Sequence, residues 1–263
     1  MYYHKLYGPV VPEKGWVPAP RFILRRERVL KNFHKLKPGK VLEIGCGPGT
    51  ISNELGEMGF DCLAVESSQK AFDIAKYVNE KSRNVEISKK LPAKKSEYDV
   101  LMAFEVLEHI EKDRDILQDW SKYILPDGLL VLSVPAHMSK WGDTDVWAGH
   151  YRRYEKKELI SLLENTGFEI VKFESYGFPL SNLIEPLRNY HHSKKLKEFN
   201  AKSEHDMKVR TGESGVSRSA ESSIFPLFAR WPVTWIMAFF MKFQNLFLDM
   251  DLGTGYLVLA RKK

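Results

Sequence analysis

The 263-residue chain contains only two cysteines, Cys46 and Cys62, and both fall in segments predicted to be core elements. A disulfide framework is therefore not expected. The expected location is a reducing compartment, the cytoplasm. Residues 1–16 lack the apolar stretch of a secretory signal. The longest nearly continuous apolar run, residues 231–241, is about half the roughly 20 residues that a transmembrane helix needs. The sequence therefore predicts neither a secreted disulfide scaffold nor a membrane-spanning protein.

Neither positive nor negative residues are in large excess. The 40 Lys and Arg residues are interspersed with 34 Asp and Glu residues, for a formal net charge of +6. Such a mixture predicts a solvated surface rather than a basic groove, so nucleic acid is not expected as a partner. His191 and His192 could be combined with Asp143 and Asp145, but the spacing matches no known ligand pattern, so no metal is expected.

The chain does contain a regular alternation of short apolar segments with amphipathic helical ones. The predicted strands are Val41–Gly45, Cys62–Glu66, Val85–Ser88, Asp99–Phe104, Leu129–Val134, Phe168–Phe173 and Tyr256–Ala260. The predicted helices are Arg21–Leu36, Thr50–Met58, Gln69–Lys81, Asp113–Leu125 and Lys156–Asn165. This rhythm predicts an α/β fold, a seven-stranded and mostly parallel sheet with helices on both faces.

The stretch "VLEIGCGPGTIS", residues 41–52, joins the first predicted strand to a helix. Gly45, Gly47 and Gly49 alternate in the turn, where glycine permits a sharp bend and a close approach of ligand to backbone. The start of the helix favours an anionic group nearby. A dinucleotide fingerprint requires a third glycine where Thr50 stands, so NAD is not the expected ligand.

The pattern E-x-G-x-G-x-G, which begins at Glu43, resembles the first motif of class I S-adenosylmethionine-dependent methyltransferases. "LAVESS", "EYDVLMAFEVLEHI" and "LPDGLLVLSVPA" are similar to motifs at the second, fourth and fifth strands of that family. The resemblance covers residues 38–175 and the last strand. It implies a Rossmann-like fold and S-adenosylmethionine as the cofactor. A carboxylate at Glu43 suits a ligand that carries an ammonium and a sulfonium group.

The resemblance also implies roles for individual residues. Glu66 would accept hydrogen bonds from both ribose hydroxyls. Phe104 and Glu105 would border the cofactor. The acidic residue that family members often carry after the third strand is missing here, so backbone groups around Ser88 and Leu91 are expected to contact the adenine instead. The predicted cofactor-binding set is Glu43, Gly45, Cys46, Gly47, Gly49, Glu66, Ser67, Ser88, Leu91, Phe104 and Glu105.

The stretch "WGDTDVWAGHYRRYEKKEL" follows the fifth strand, at the same sheet edge as the glycine turn. His150 is a candidate general base, and Arg152 a candidate ligand for a carboxylate or phosphate. Arg153 and Tyr154 are expected to fix the start of the next helix. The candidate catalytic residues are Asp145, His150, Tyr151, Arg152 and His109. The alternative for each is a scaffold role, and His109 could simply cap a helix.

Four parts are predicted along the chain. Residues 1–37 are expected to form an extended arm and a helix, and residues 38–177 the Rossmann-like domain. Residues 178–252 break the rhythm and predict a helical, aromatic cap with a mobile polar stretch, inserted before the last, antiparallel strand in residues 253–263. The apolar helix in the cap predicts burial or coverage by a partner. A substrate lid, a homodimer interface and a peripheral membrane contact all remain open for it.

Together these features predict a cytoplasmic methyltransferase that acts on a small-molecule acceptor with an anionic group. The alternatives are a quinone or lipid methyltransferase that docks on a membrane, and a catalytically silent S-adenosylmethionine-binding protein. The acceptor atom and the identity of the acceptor are left open by the sequence.

Overall fold

The computed structural model describes residues 1–198 and 225–263. A seven-stranded sheet forms its centre, with strands β3 (Lys40–Ile44), β4 (Asp61–Val65), β5 (Val85–Ser88), β6 (Tyr98–Phe104), β7 (Ile124–Pro135), β8 (Phe168–Tyr176) and β9 (Gly255–Lys262). Their order is β5-β4-β3-β6-β7-β9-β8. Strand β9 runs antiparallel to both of its neighbours, whereas β3 to β7 pair in parallel. The predicted fold class and the antiparallel last strand are confirmed.

Helices cover both faces of the sheet. They are α1 (Pro20–Phe33), α2 (Thr50–Glu57), α3 (Gln69–Asn79), α4 (Asp113–Ser121), α5 (Asp143–Ala148), α6 (Lys156–Glu164), α7 (Leu180–Glu198) and α8 (Val233–Phe243). One core cluster packs Leu101 and Leu130 of the sheet against Leu117 of α4 and Leu159 of α6. A second packs the other face against α1 and α2. Helix α4 is shorter than predicted because Ile124 already pairs with Tyr98 in the sheet.

The strand order reverses at β3, which pairs with β4 on one side and with β6 on the other. In open α/β sheets a crevice forms at such a point, outside the carboxyl ends of the strands. The glycine turn after β3, the end of β4 and the end of β6 therefore meet there. The sheet topology alone therefore brings together the motifs at the ends of β3, β4 and β6, which were predicted at the first, second and fourth strands.

The first residues are not the extended arm that was expected. Strands β1 (Tyr2–His4) and β2 (Gly8–Val10) form an antiparallel hairpin. Val11 and Trp16, both fully buried, pack against Ala71, Ile74 and Val78 of α3. Burial of two large side chains against the main domain stabilises the segment by several kcal/mol in order of magnitude. Trp16 also lines the cavity at the carboxyl ends of the central strands.

The cap contains α7 and α8. Most of the predicted mobile stretch lies outside the described residues, and its first part belongs to α7. Helix α8 buries Met237 and Met241 against α1, while Trp231, just before the helix, and Trp235 are 81% and 70% exposed. The helix is therefore only half buried within the described single chain, and coverage of its other face by a partner stays a prediction. No helix among the described residues is long and apolar enough to cross a membrane.

Candidate active site

A cavity of about 520 Å³ opens at the carboxyl ends of β3, β4 and β6. Two sets of side chains line it. The glycine-loop side comprises Trp16, Glu43, Gly45, Cys46, Gly47, Glu66, Ser67 and Phe104. The α5–α7 side comprises His109, Thr144, Asp145, Trp147, His150, Ser181, Ile184, Arg188, His192 and Lys195. Arg21, Arg25 and Glu105 also line the cavity.

The glycine turn is shaped by positive φ angles of +70°, +54° and +68° at Gly45, Gly47 and Gly49. A Cβ added to Gly45 would meet Val106 at 2.5 Å, and one added to Gly49 would meet Asn79 at 2.7 Å. A Cβ added to Gly47 would meet nothing within 4 Å. Gly45 and Gly49 therefore serve packing, whereas Gly47 leaves open a space beside the backbone that a ligand can enter. Gly49 itself does not line the cavity, contrary to expectation.

Glu66 stands where β4 ends and faces the glycine turn. Its carboxylate accepts hydrogen bonds from the backbone N–H groups of Gly47 and Ser68, each at 2.8 Å. Burial raises the pKa of Glu66. Each carboxylate oxygen offers two acceptor positions, so both oxygens can still accept from a ligand. The orientation fits the predicted role toward a pair of ribose hydroxyls.

Glu43 lies at the end of β3 and is 2% exposed. The hydroxyl of Ser52 donates a hydrogen bond to it. Burial raises the pKa of Glu43 to about 7. Around neutral pH this group is therefore partly protonated, and it is a weaker anion than the motif alone suggests.

Glu105 follows β6 with a φ of +58°, which turns its side chain back under α1. Arg21 and Arg25 approach its carboxylate at 2.8 and 3.3 Å. Tyr176 and Ser133 donate hydrogen bonds to it at 2.9 and 3.0 Å. Burial alone would raise the pKa of Glu105, but the two guanidinium groups bring it down to about 2. Helix α1 thus supplies two cations to the cavity, which the sequence pattern did not predict.

Asp145 and His150 form a hydrogen-bonded pair on the α5–α7 side. The distance from His150 Nδ1 to Asp145 Oδ1 is 2.8 Å. Arg153 donates to both oxygens of the same carboxylate at 2.9 Å and also pairs with Glu185 at 2.6 Å. Burial would raise the pKa of Asp145, but His150 and Arg153 hold it well below its usual range. Because the carboxylate accepts at Nδ1, Nε2 is the acceptor nitrogen of His150, and it lies 3.8 Å from Oε1 of the buried Glu108.

Glu108 and His109 lie beside this pair. Glu108 is fully buried, and neither of its oxygens has a hydrogen-bond partner within the described ranges. Burial and the nearby Glu105 raise its pKa well above the ordinary value. Burial lowers the pKa of His109 to about 4, and its ring meets that of His150 edge-on with centroids 4.7 Å apart. Ligand-type atoms of Glu108, His109 and His150 all lie within 4.8 Å of one another, so the expectation of no metal stays a prediction.

Two predicted catalytic residues are placed elsewhere. Arg152 donates to Asp113 at 2.8 Å and to the carbonyl of Glu111 at 2.6 Å. Tyr151 is 56% exposed. Neither residue lines the cavity. The expectation that Arg152 faces the acceptor is corrected, because the start of α4 captures its guanidinium.

Ser88 and Leu91 also lie outside the set of residues that line the cavity. The Ser88 hydroxyl accepts from the N–H of Lys90, and the Ser88 carbonyl accepts from the N–H of Glu66. Leu91 is 39% exposed. Their assigned contact with an adenine ring therefore has no support in the shape of the cavity.

Comparisons with known proteins agree with this geometry. A family model described as a methyltransferase domain matches residues 21–172. The ubiquinone biosynthesis O-methyltransferase of Rickettsia bellii is 27% identical over 172 residues, which cover 59% of this chain and 72% of the relative. The mitochondrial enzyme of that name from Schizosaccharomyces pombe is 34% identical over 101 residues, 36% of this chain and 37% of the relative.

Two solved structures show the same fold. The [4+2]-cyclase SpnF has a TM-score of 0.57 at 17% identity and covers 94% of this chain and 83% of its own. The 1,6-didemethyltoxoflavin-N1-methyltransferase of Burkholderia thailandensis, solved with S-adenosylhomocysteine, has a TM-score of 0.54 at 14% identity, with 91% and 78% covered. At these identities the likeness concerns the fold.

The family match spans more than half of the chain and includes both the glycine turn and the His150 loop. The open space beside Gly47 and the carboxylate of Glu66 fit S-adenosylmethionine, which is the cofactor of this family. The same cavity extends to His150. The chain belongs to the methyltransferase domain family and is an S-adenosylmethionine-dependent methyltransferase that acts on a small molecule.

Proposed function

We propose that this enzyme methylates a hydroxyl oxygen of a small ring-containing acceptor. The observation that carries the proposal is the Asp145–His150 pair on the wall of the cavity. A hydroxyl reaches the enzyme protonated and needs a base, whereas an uncharged amine does not. The names of the relatives from Rickettsia bellii and Schizosaccharomyces pombe, both O-methyltransferases, support the same acceptor atom.

The proposed chemistry uses few groups of the protein. S-adenosylmethionine, when bound, supplies an electrophilic methyl group whose thioether leaving group needs no acid. Asp145 accepts the Nδ1–H of His150 and thereby orients Nε2 to take the proton of the acceptor hydroxyl. The Asp145 carboxylate then stabilises the imidazolium, and Arg153 keeps that carboxylate in place. His109 and Glu108 exclude water around the base.

The domain assignment follows from this proposal. Residues 38–177 and 253–263 form the cofactor-binding sheet with its helices, and the described residues 178–198 and 225–252 belong to the cap that we place over the acceptor side. Residues 1–37 contribute to the same cavity through Trp16, Arg21 and Arg25. We therefore treat the N-terminal segment as a wall of the site.

The test is formation of S-adenosylhomocysteine with catechol and with benzylamine as probe acceptors. Turnover with catechol that is lost in His150→Ala supports the proposal, and turnover with the amine alone contradicts it. Parallel assays with EDTA and with ZnCl₂ address the metal, because two imidazoles and one carboxylate suit a transition metal. Full activity in EDTA keeps the expectation of no metal, while loss in EDTA and recovery with Zn²⁺ would favour an ion at Glu108, His109 and His150.

A second proposal concerns partners and location. Trp231, Trp235 and Phe239 next to and on α8, and Leu183 and Leu187 on α7, are half or more exposed. Large aromatic and aliphatic side chains in such a position favour a peripheral membrane contact of a cytoplasmic protein. Sedimentation with anionic liposomes that is lost in Trp231→Ser/Trp235→Ser supports this contact. A homodimer in light scattering that the same variant dissociates, without liposome binding, contradicts it.

A further inference from the structure

Helix α7 turns one face to the cavity and the opposite face outward. Its lining residues are Ser181, Ile184, Arg188, His192 and Lys195, spaced by three or four positions and thus on one side of the helix. Leu183 and Leu187, by contrast, are about 70% exposed. The face that meets the cavity therefore carries Arg188 and Lys195 beside Ile184, whereas Leu183 and Leu187 point away from it.

The arginines that line the cavity differ in their partners. Arg21 and Arg25 share the carboxylate of Glu105. Arg153 is held between two carboxylates. For the Arg188 guanidinium, no hydrogen bond or ion pair is formed with any residue of the ranges 1–198 and 225–263. Arg188 is thus a cation of the cavity wall without a direct ion pair in this part of the chain, although the charges of Glu185 and Glu105 act on it from a greater distance.

Burial is costly for such a group. It lowers the pKa of Arg188 to about 10, with a further contribution from the positive charge of Arg21. A guanidinium with an unsatisfied fork of N–H donors binds carboxylates and phosphates well, because two parallel hydrogen bonds can form. The nearby Lys195 lies over the ring of Trp147 at 5.7 Å and adds a second positive charge to the same wall.

We propose that Arg188 binds an anionic substituent, a carboxylate or a phosphate, on the acceptor. The inference deepens the proposed O-methylation and rests on it, since it names the chemical class of the acceptor. Thr144 and Trp147 of α5 and His192 of α7 complete the wall around Arg188. This role was predicted from the sequence for Arg152, but the guanidinium of Arg152 is paired with Asp113.

The test compares 3,4-dihydroxybenzoate with catechol, which has the same ring hydroxyls and no carboxylate. Arg188→Gln should raise the KM for 3,4-dihydroxybenzoate by about 10- to 100-fold, as expected for loss of charge-assisted hydrogen bonds. The kcat with that acceptor and all constants for catechol should stay nearly unchanged, because the group binds equally in the ground and transition states. Arg188→Lys should recover part of the loss.

Arg152→Gln is the matched control, because it removes the same charge outside the cavity and should leave both KM values unaltered. Thermal unfolding of each variant shows whether the fold is kept. Calorimetry of the two acceptors, with S-adenosylhomocysteine bound, tests the subsite even if neither acceptor is methylated. The proposal is supported if the wild type binds 3,4-dihydroxybenzoate more tightly than catechol and if Arg188→Gln abolishes this difference.

Three results would overturn it. One is equal affinity of the wild type for the two acceptors. Another is an equal loss for both acceptors in Arg188→Gln. The third is weaker binding of S-adenosylhomocysteine in Arg188→Gln but unchanged binding of 5′-methylthioadenosine, which lacks the amino-acid carboxylate. That pattern would assign Arg188 to the carboxylate of the cofactor.

Discussion

The two sides of the cavity differ in how their charged groups are satisfied. On the glycine-loop side, Glu66 accepts from two backbone N–H groups and Glu43 from the hydroxyl of Ser52. On the α5–α7 side, neither oxygen of the fully buried Glu108 has a hydrogen-bond partner among residues 1–198 and 225–263. A buried polar group without a partner costs about 1–3 kcal/mol, and more when charged.

The difference indicates which side is complete before a ligand binds. Backbone groups held by the sheet define the glycine-loop side, and Gly45 and Cys46 are fixed to the carbonyl of Val65 at 2.8 and 3.1 Å. Side chains from helices α5 and α7, distant in sequence, define the other side. A ligand with matching polar groups can stabilise that side, and selectivity for the acceptor is expected to arise there.

The largest effect is expected from Gly47→Val. The added side chain enters the open space beside the turn and should bring S-adenosylhomocysteine binding below detection by calorimetry. Gly167→Val is the matched control, since Gly167 also has a positive φ, also meets nothing within 4 Å of an added Cβ, and lies outside the cavity. Both variants should lose similar stability, and only one should lose the cofactor. Equal affinity in the two variants would contradict the assigned ligand space.

His150→Ala tests the other side. Turnover should fall by about 10²–10⁴-fold if His150 is the general base. Binding of S-adenosylhomocysteine should be nearly intact, because the glycine-loop side holds it. His34→Ala, at an exposed site, is the control. If the variant instead loses thermal stability and cofactor affinity together, His150 belongs to the scaffold.

Glu66→Ala should weaken cofactor binding by roughly 1.5–3 kcal/mol, the range for hydrogen bonds to a charged group. Part of this loss comes from the turn, since Glu66 also accepts from the N–H of Gly47. Calorimetry measures it, with Glu86→Ala on the exposed face of β5 as the control. An unchanged affinity would remove Glu66 from the site.

The difference between the two sides also explains what the sequence could predict. The glycine turn, Glu66 and Phe104 each stand at the end of a strand, and a parallel sheet brings strand ends together regardless of detail. All seven strands of the sheet were also predicted, because short apolar segments alternate with amphipathic helical ones along the sequence. Ser88 and Leu91 were predicted where the chain departs from the family pattern, and the described cavity does not include them.

The acceptor side could not be predicted in this way. Arg152 is held outside the cavity by Asp113 at the start of α4, whereas Arg188 lines the cavity from α7, and neither arrangement is visible in the sequence pattern. The pairing of Arg21 and Arg25 with Glu105 joins positions some 80 residues apart, and the amphipathic pattern of α1 does not reveal it. Helix α5 was missed because its six residues, Asp143–Ala148, are too short for a periodic signal.

The smallest effect concerns Glu43, a carboxyl group of the glycine-loop side that stays partly protonated. Its pKa is about 7 in the folded protein because of burial, against an ordinary value of 4.5. Between these values the folded state binds more protons than the unfolded state, so the free energy of unfolding falls as the pH rises, by up to about 1.4 kcal/mol per pH unit. Burial lowers the pKa of His109 to about 4, so His109 makes the free energy of unfolding rise with pH.

Glu43→Gln separates the two contributions, because His109 is present in both proteins and cancels in the difference. Relative to wild type, the variant should gain roughly 1–3 kcal/mol between pH 4.5 and pH 7, with no further change above it. Urea unfolding without cofactor at pH 4.5, 6, 7 and 8 measures this gain. If the free energies of unfolding of the two proteins change in parallel with pH, Glu43 is ionised at all four pH values. The carboxylate near the glycine turn would then carry its full negative charge.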